Sequence, residues 1–205
     1  NPQFTNKEIY TITQTASDYG LKVAAHAHGD EGMYRAVANG VRTIEHGTLI
    51  KERTMDLMIS KGAYLVPTIS AGKFVAKMAE KPNFFHPLIE EKAKNIGPKI
   101  QNTFKRAYKY GVPILFGTDS GVSPHGDNAK EFIYMNEAGM PINEALHIAT
   151  FINAKILDMD NLLGQIAPGF FADIVATNKN PKDDINTLTK VSFVMKNGKV
   201  YKILK

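Results

Sequence analysis

Two histidines stand one residue apart in VAAHAHG, His26 and His28, at the end of an apolar run. A third, His46, closes the next such run in RTIEHG, and Asp119 follows the run VPILFG in FGTDSG. Neutral imidazole and carboxylate together are a donor set for zinc, manganese or iron, and an aspartate beside a metal-bound water can take its proton. Each residue has an ordinary reading too. A histidine ending a strand is commonly a satisfied polar side chain, and the aspartate of TDSG could cap its own turn. Their shared position argues for chemistry, because random placement would not so often select the same end of successive segments.

The elements that must position these residues read as strands separated by helices. Residues 5–19 open with Thr5 and Glu8 at the spacing of a capping box and stop at Gly20, which predicts a helix feeding a strand over 21–27. Met33, Ala36 and Val37 lie at helical spacing within 30–39, and a strand over 41–45 ends in His46. Helices over 51–60 and 99–110 precede strands over 63–67 and 112–117, the last delivering Asp119. Such alternation predicts parallel pairing, since a parallel crossover needs a covering helix. In that arrangement neighbouring strand tips meet at one mouth, where open sheets and barrels carry their chemistry. Residues two apart share a side of a strand, so His26 and His28 can face one site.

Residues 68–98 interrupt the alternation with Gly72, Pro82, Pro87 and the pair Phe84 and Phe85. That length points to a functional loop or lid with short helices of its own. Phe74, Phe84 and Phe85 could line an apolar pocket or equally pack as its core. Helices over 128–138 and 142–157 follow. The stretch 163–205 then changes to short apolar runs, and Asn197 with Gly198 between two of them is a hairpin signal, predicting a small antiparallel sheet.

Bulk properties exclude several classes. The 25 Lys and Arg are dispersed among 20 Asp and Glu, with no basic run, so the net charge of +5 gives no nucleic-acid footprint. Without cysteine there is neither a disulfide framework nor a thiolate metal site. No apolar run approaches the roughly 18 residues of a membrane span. The start NPQFT, with no initiator Met and no signal-peptide pattern, leads us to expect a processed chain or one whose natural beginning is not shown.

HAHG, IEHG and FGTDSG, in that order, resemble the amidohydrolase superfamily of metal-dependent hydrolases, (β/α)8 barrels with metal ligands at their strand tips. The tail LGQIAPGFFADIVATNKNP with VMKNGKVYK is similar to that family's C-terminal return to a small β-sandwich domain. More narrowly, HAHGDEGMYRAVANGVRTIEHGTLI, AYLVPTIS and TDSGVSPHGDNAKEFIYMNEAGM resemble the prolidase-like branch, which hydrolyses Xaa-Pro and related dipeptides. The resemblance implies an α/β chain: the second half of a TIM-like (β/α)8 barrel over 1–160, strands five to eight, and the C-terminal strands of the β-sandwich over 161–205. Matched residue by residue, it implies His26, His46 and Asp119 as metal ligands, with Asp119 also general base and then acid. His28 falls at a substrate-binding position. His125, in the loop after Asp119, matches a contact for the substrate carboxylate, although an ordinary loop histidine fits it as well.

The family's first-strand His-x-His is absent, as is the fourth-strand lysine that bridges two metals when carboxylated. The expectation is therefore the C-terminal half of a protein of about 400 residues, a barrel alone taking about 250, whose partner is the N-terminal half of the same barrel. The resemblance implies a divalent cofactor, one or two zinc ions with manganese or iron as alternatives, held with a carboxylated lysine from the missing half. It implies a small peptide or amide substrate, and leaves a homo-oligomer open. Two rivals stand beside this reading. One is another amidohydrolase, imidazolonepropionase-like or a deaminase, although those carry Glu where His28 stands. The other is a non-catalytic binding or scaffold module.

Overall fold

The computed structural model describes residues 1–204, so Lys205, the last residue of the expected 161–205 segment, lies outside the described residues. Helix α1 (Asn6–Asp18) begins at Thr5. The Thr5 hydroxyl accepts from the Glu8 N–H at 3.3 Å, and the Glu8 carboxylate accepts from the Thr5 N–H at 2.7 Å. This is the capping box that the spacing predicts. Strand β1 (Ala24–Ala27), helix α2 (Asp30–Ala38), strand β2 (Thr43–His46), helix α3 (Glu52–Lys61) and strand β3 (Tyr64–Val66) follow in alternation. The strands form a parallel sheet in the order β1-β2-β3, with His26 opposite Glu45 and Ala27 opposite His46.

The expected strand over 112–117 is reduced to one parallel bridge between Leu65 and Ile114. Two bonds hold it, from the Leu65 N–H to the Pro113 carbonyl and from the Leu115 N–H to the Leu65 carbonyl, both 2.9 Å. Extending the ladder in either direction would need an N–H from Pro113 or from Pro67, and proline has none. Residues 68–98 form helices α4 (Ile69–Ala79) and α5 (Pro87–Ile96), joined through Phe84 and Phe85, whose rings meet edge to face at 4.8 Å. Helix α6 (Lys99–Tyr110) returns the chain to the bridge.

The core of this first unit, Asn1–Ser123, lies between sheet and helices. Met33, Ile44, Met55, Met58, Leu65 and Phe104 are at most 1% exposed, each burial contributing about 1.5–3 kcal/mol. One buried carboxylate ties the site-bearing turns together. Asp30, just beyond β1, accepts from the Lys51 N–H at 2.9 Å, the Thr54 hydroxyl at 2.7 Å and Arg53 Nε at 2.8 Å, all at the start of α3.

The second unit, Pro124–Lys205, contains α7 (Lys130–Glu137), α8 (Ile142–His147), a π-helical turn over Ile148–Ile152 and α9 (Asn153–Ile156). Its sheet is antiparallel, in the order β4 (Ile174–Ala176), β5 (Phe193–Lys196), β6 (Lys199–Ile203). The β5–β6 turn has φ 48° at Asn197 and 76° at Gly198, both positive as a two-residue type I′ hairpin requires. Among the described residues no helix is long and apolar enough to cross a membrane.

Candidate functional site

The tips of β1 and β2 bring three imidazoles together. His26 Nδ1 lies 2.9 Å from His46 Nε2, with ring centroids 5.0 Å apart. His28 stacks flat on His46, at 4.9 Å and 7° between planes. Each of the two stacked rings is anchored through its other side. His46 Nδ1 meets the Thr68 hydroxyl at 2.7 Å, and His28 Nδ1 meets the Thr48 hydroxyl at 2.9 Å. Thr48 is held in turn, its carbonyl accepting from the Thr103 hydroxyl at 2.6 Å. Anchoring at Nδ1 leaves His46 Nε2 and His28 Nε2 for other partners.

Electrostatics favour the neutral form of His46 and His28. Burial lowers the pKa of half-buried His46 to about 4, with the neighbouring His28 and His26 adding to the fall and Asp119 opposing it. His28, open to solvent on one side, is lowered too, first by desolvation of the rest of its ring and then by His26. Only a neutral imidazole can bind a cation, so these shifts leave both rings ready to bind near pH 7. Asp119 lies close enough for its charge to act on both His46 and Glu45. Its backbone, at φ 53°, is left-handed.

Of the five residues singled out from the sequence, His26, His28 and His46 come together at one mouth within the first unit, and Asp119, in the same unit, lies close enough for its charge to act on His46. His125 belongs to the second unit, where it is exposed. The donors fit a divalent cation in part: two ring nitrogens converge, and a carboxylate stands nearby. Among the described residues, however, no three His, Asp or Glu side chains come close enough to enclose a metal by themselves.

Three contributors escape sequence reasoning: Thr48, Thr68 and Glu45. Glu45 faces the same side of the sheet as its register partner His26 and receives the Thr43 hydroxyl at 2.6 Å. Burial raises its pKa, and Asp119 adds to the rise, against the pull of Thr43 and His26. The period of two from Thr43 to Glu45 was the available signal. Nothing local marks Thr68.

Comparison with known proteins decides the family. The amidohydrolase family profile matches residues 1–201. The chain belongs to the amidohydrolase family. Within it, ochratoxinase from Aspergillus niger is 32% identical over 98% of this chain and 42% of its own length. The crystal structure of a Xaa-Pro dipeptidase with methionine in its active site is 50% identical, with a TM-score of 0.96 over 98% of this chain and 50% of that one. A prolidase complexed with N-methylphosphonate-L-proline is 33% identical at a TM-score of 0.88, again over 98% of this chain and 50% of that one. The chain thus shares the α/β fold of these amidohydrolases and spans about half their length.

Proposed function

We propose that this chain supplies half of the active site of a metal-dependent amide hydrolase acting on dipeptides, with Xaa-Pro the foremost class. The observation that carries the metal reading is the pair of ring nitrogens, His26 Nδ1 and His46 Nε2, facing each other at 2.9 Å. His26 and His46 would hold the cation, with Asp119 contributing its carboxylate once the remaining ligands complete the site: zinc, manganese or iron all accept these donors. When bound, it supplies Lewis acidity and a water nucleophile at neutral pH. Asp119 takes a proton from the attacking water at its carboxylate and returns it to the leaving amine. Thr68 holds the His46 ring, and Asp30 keeps the β1 and β2 turns in register. His28, pinned at Nδ1 by Thr48, offers Nε2 to a polar group of the substrate. His125 is the candidate for the substrate carboxylate.

The remaining ligands, including a carboxylated lysine, come on this proposal from strands that complete a (β/α)8 barrel. Residues 1–160 then form its second half, and 161–205 belong to a β-sandwich. Support comes from β1, an edge strand bordered by a groove of about 1040 Å³. The groove runs past His26 and His28 and is lined by Phe4, Ile9, Ile12 and Val23. A barrel has no such open edge.

The similarity to a Xaa-Pro dipeptidase supports the substrate class. The similarity to ochratoxinase favours a second reading, hydrolysis of an amide outside the dipeptides. The natural full-length protein, assayed against Xaa-Pro dipeptides, other dipeptides, ochratoxin, imidazolone and pyrimidine substrates, separates the readings. Turnover of Xaa-Pro dipeptides is expected. Preference for ochratoxin supports the second reading, and turnover of the ring substrates alone overturns both.

A further inference from the structure

Two threonines begin helices in the first unit and spend their hydroxyls differently. Thr5 has extended backbone, φ −75° and ψ 163°, and its hydroxyl caps α1 by accepting the Glu8 N–H. Thr68 is the corresponding residue of α4, yet it sits at φ 48° and ψ 48° and makes no side-chain bond to its helix. Its hydroxyl meets His46 Nδ1 at 2.7 Å instead. A β-branched residue is strongly disfavoured in the left-handed region, and the declined cap is normally stabilising. His46 is left-handed as well, at φ 73°. The other described non-glycine residues with positive φ are Asn83, Asp119, Asp158 and Asn197, types that tolerate this conformation. Histidine tolerates it too, so among the described residues Thr68 stands out, hydrogen-bonded to His46 at the candidate site, where strain held by the fold is a mark of function.

We propose that Thr68 is a positioning residue: its left-handed backbone aims the hydroxyl at His46 Nδ1, so that Nε2 is the nitrogen turned toward His26. The inference rests on the metal reading of the site. A hydroxyl suits the task because it both donates and accepts. It donates to bare Nδ1 while the ring proton sits on Nε2. It accepts from Nδ1–H when Nε2 gives its lone pair to a cation. Valine at this position keeps the shape and the β-branch but can do neither, whereas serine can do both.

The test uses the natural full-length protein, stripped of metal, in wild-type, Thr68→Val, Thr68→Ala and Thr68→Ser forms. Calorimetry measures Zn²⁺ binding, ¹⁵N spectra follow the His46 ring, and thermal melts establish folding, with Thr68→Ala standing in if Thr68→Val fails to fold. The expected result is a loss of Zn²⁺ affinity of about 10- to 100-fold in Thr68→Val and Thr68→Ala, the range for lost outer-shell partners of metal ligands. Thr68→Ser should rescue it, and the His46 nitrogen shifts should move in the first two variants only. If wild type binds Zn²⁺ and Thr68→Val or Thr68→Ala matches it, or if Thr68→Ser loses as much as they do, the inference falls and the metal reading stands. If wild type takes up no Zn²⁺, the metal reading falls and this inference with it.

Discussion

At the tip of β1, His28 is followed by Gly29 with φ −87° and ψ 137°, a backbone any residue can adopt, and a Cβ built there would meet nothing within 4 Å. At the tip of β2, His46 at φ 73° is followed by Gly47 at φ 62°, and a Cβ there would run into Leu65 Cδ1. Leu65 is fully buried, so its side chain could make room only by repacking the core. The same dipeptide thus marks two different turns. The β2 turn must reverse sharply to bring the His46 ring between Thr68 and His26, and only glycine lets the chain pass over Leu65. The β1 turn is relaxed and simply starts α2.

Gly47→Ala should break the tighter turn. Left-handed strain of about 1–2 kcal/mol combines with overpacking of about 1–3 kcal/mol, so denaturant titration should record a loss of about 2–5 kcal/mol. A loss below about 0.5 kcal/mol, the range of ordinary surface changes, would erase the contrast.

A smaller effect comes from pH. His46 has a folded pKa of about 4 against 6.5 for an unperturbed ring, so between these values the unfolded chain binds more protons than the folded one. Stability of the metal-free protein is therefore present above pH 6.5 and is lost as pH falls toward 4. His28 adds in the same direction. Glu45, raised by burial, acts oppositely: it favours the fold at low pH, and that contribution fades as pH rises through its folded value. His46→Gln should flatten the loss between pH 6.5 and 4 in melts taken across this window, and an unchanged profile would remove His46 as its source.

Gly29→Ala should do least. A modest N-cap penalty against alanine is offset by reduced freedom of the unfolded chain, leaving stability within about 0.5 kcal/mol of wild type by denaturant titration.

The parts of the molecule legible in the sequence are those set by neighbours along the chain. Thr5 with Glu8, and Asn197 with Gly198, fix their own turns through bonds and backbone angles a few residues apart. That His26 and His46 meet at neighbouring strand tips was legible because β1 and β2 recur with a helical spacer between them. The fourth strand was overread, although Pro67 and Pro113 already showed which ladder bonds could not form. Thr68 and Thr48 stayed hidden because their importance depends on which ring they reach across the sheet. For Thr68 it also depends on a left-handed backbone that a β-branched residue does not advertise. The similarity of HAHG to IEHG hid the difference between the two turns in the same way, since the collision that demands Gly47 comes from Leu65 on another strand.

The central claim is that His26 and His46 hold a divalent cation, and the most direct measurement is the metal content of the natural full-length protein, by elemental analysis, beside its His26→Ala, His46→Ala double variant. Stoichiometric zinc, manganese or iron in the wild type, absent from a double variant that still folds, is the predicted result. Equal metal in both, or full hydrolytic activity in wild-type protein free of metal, would contradict it.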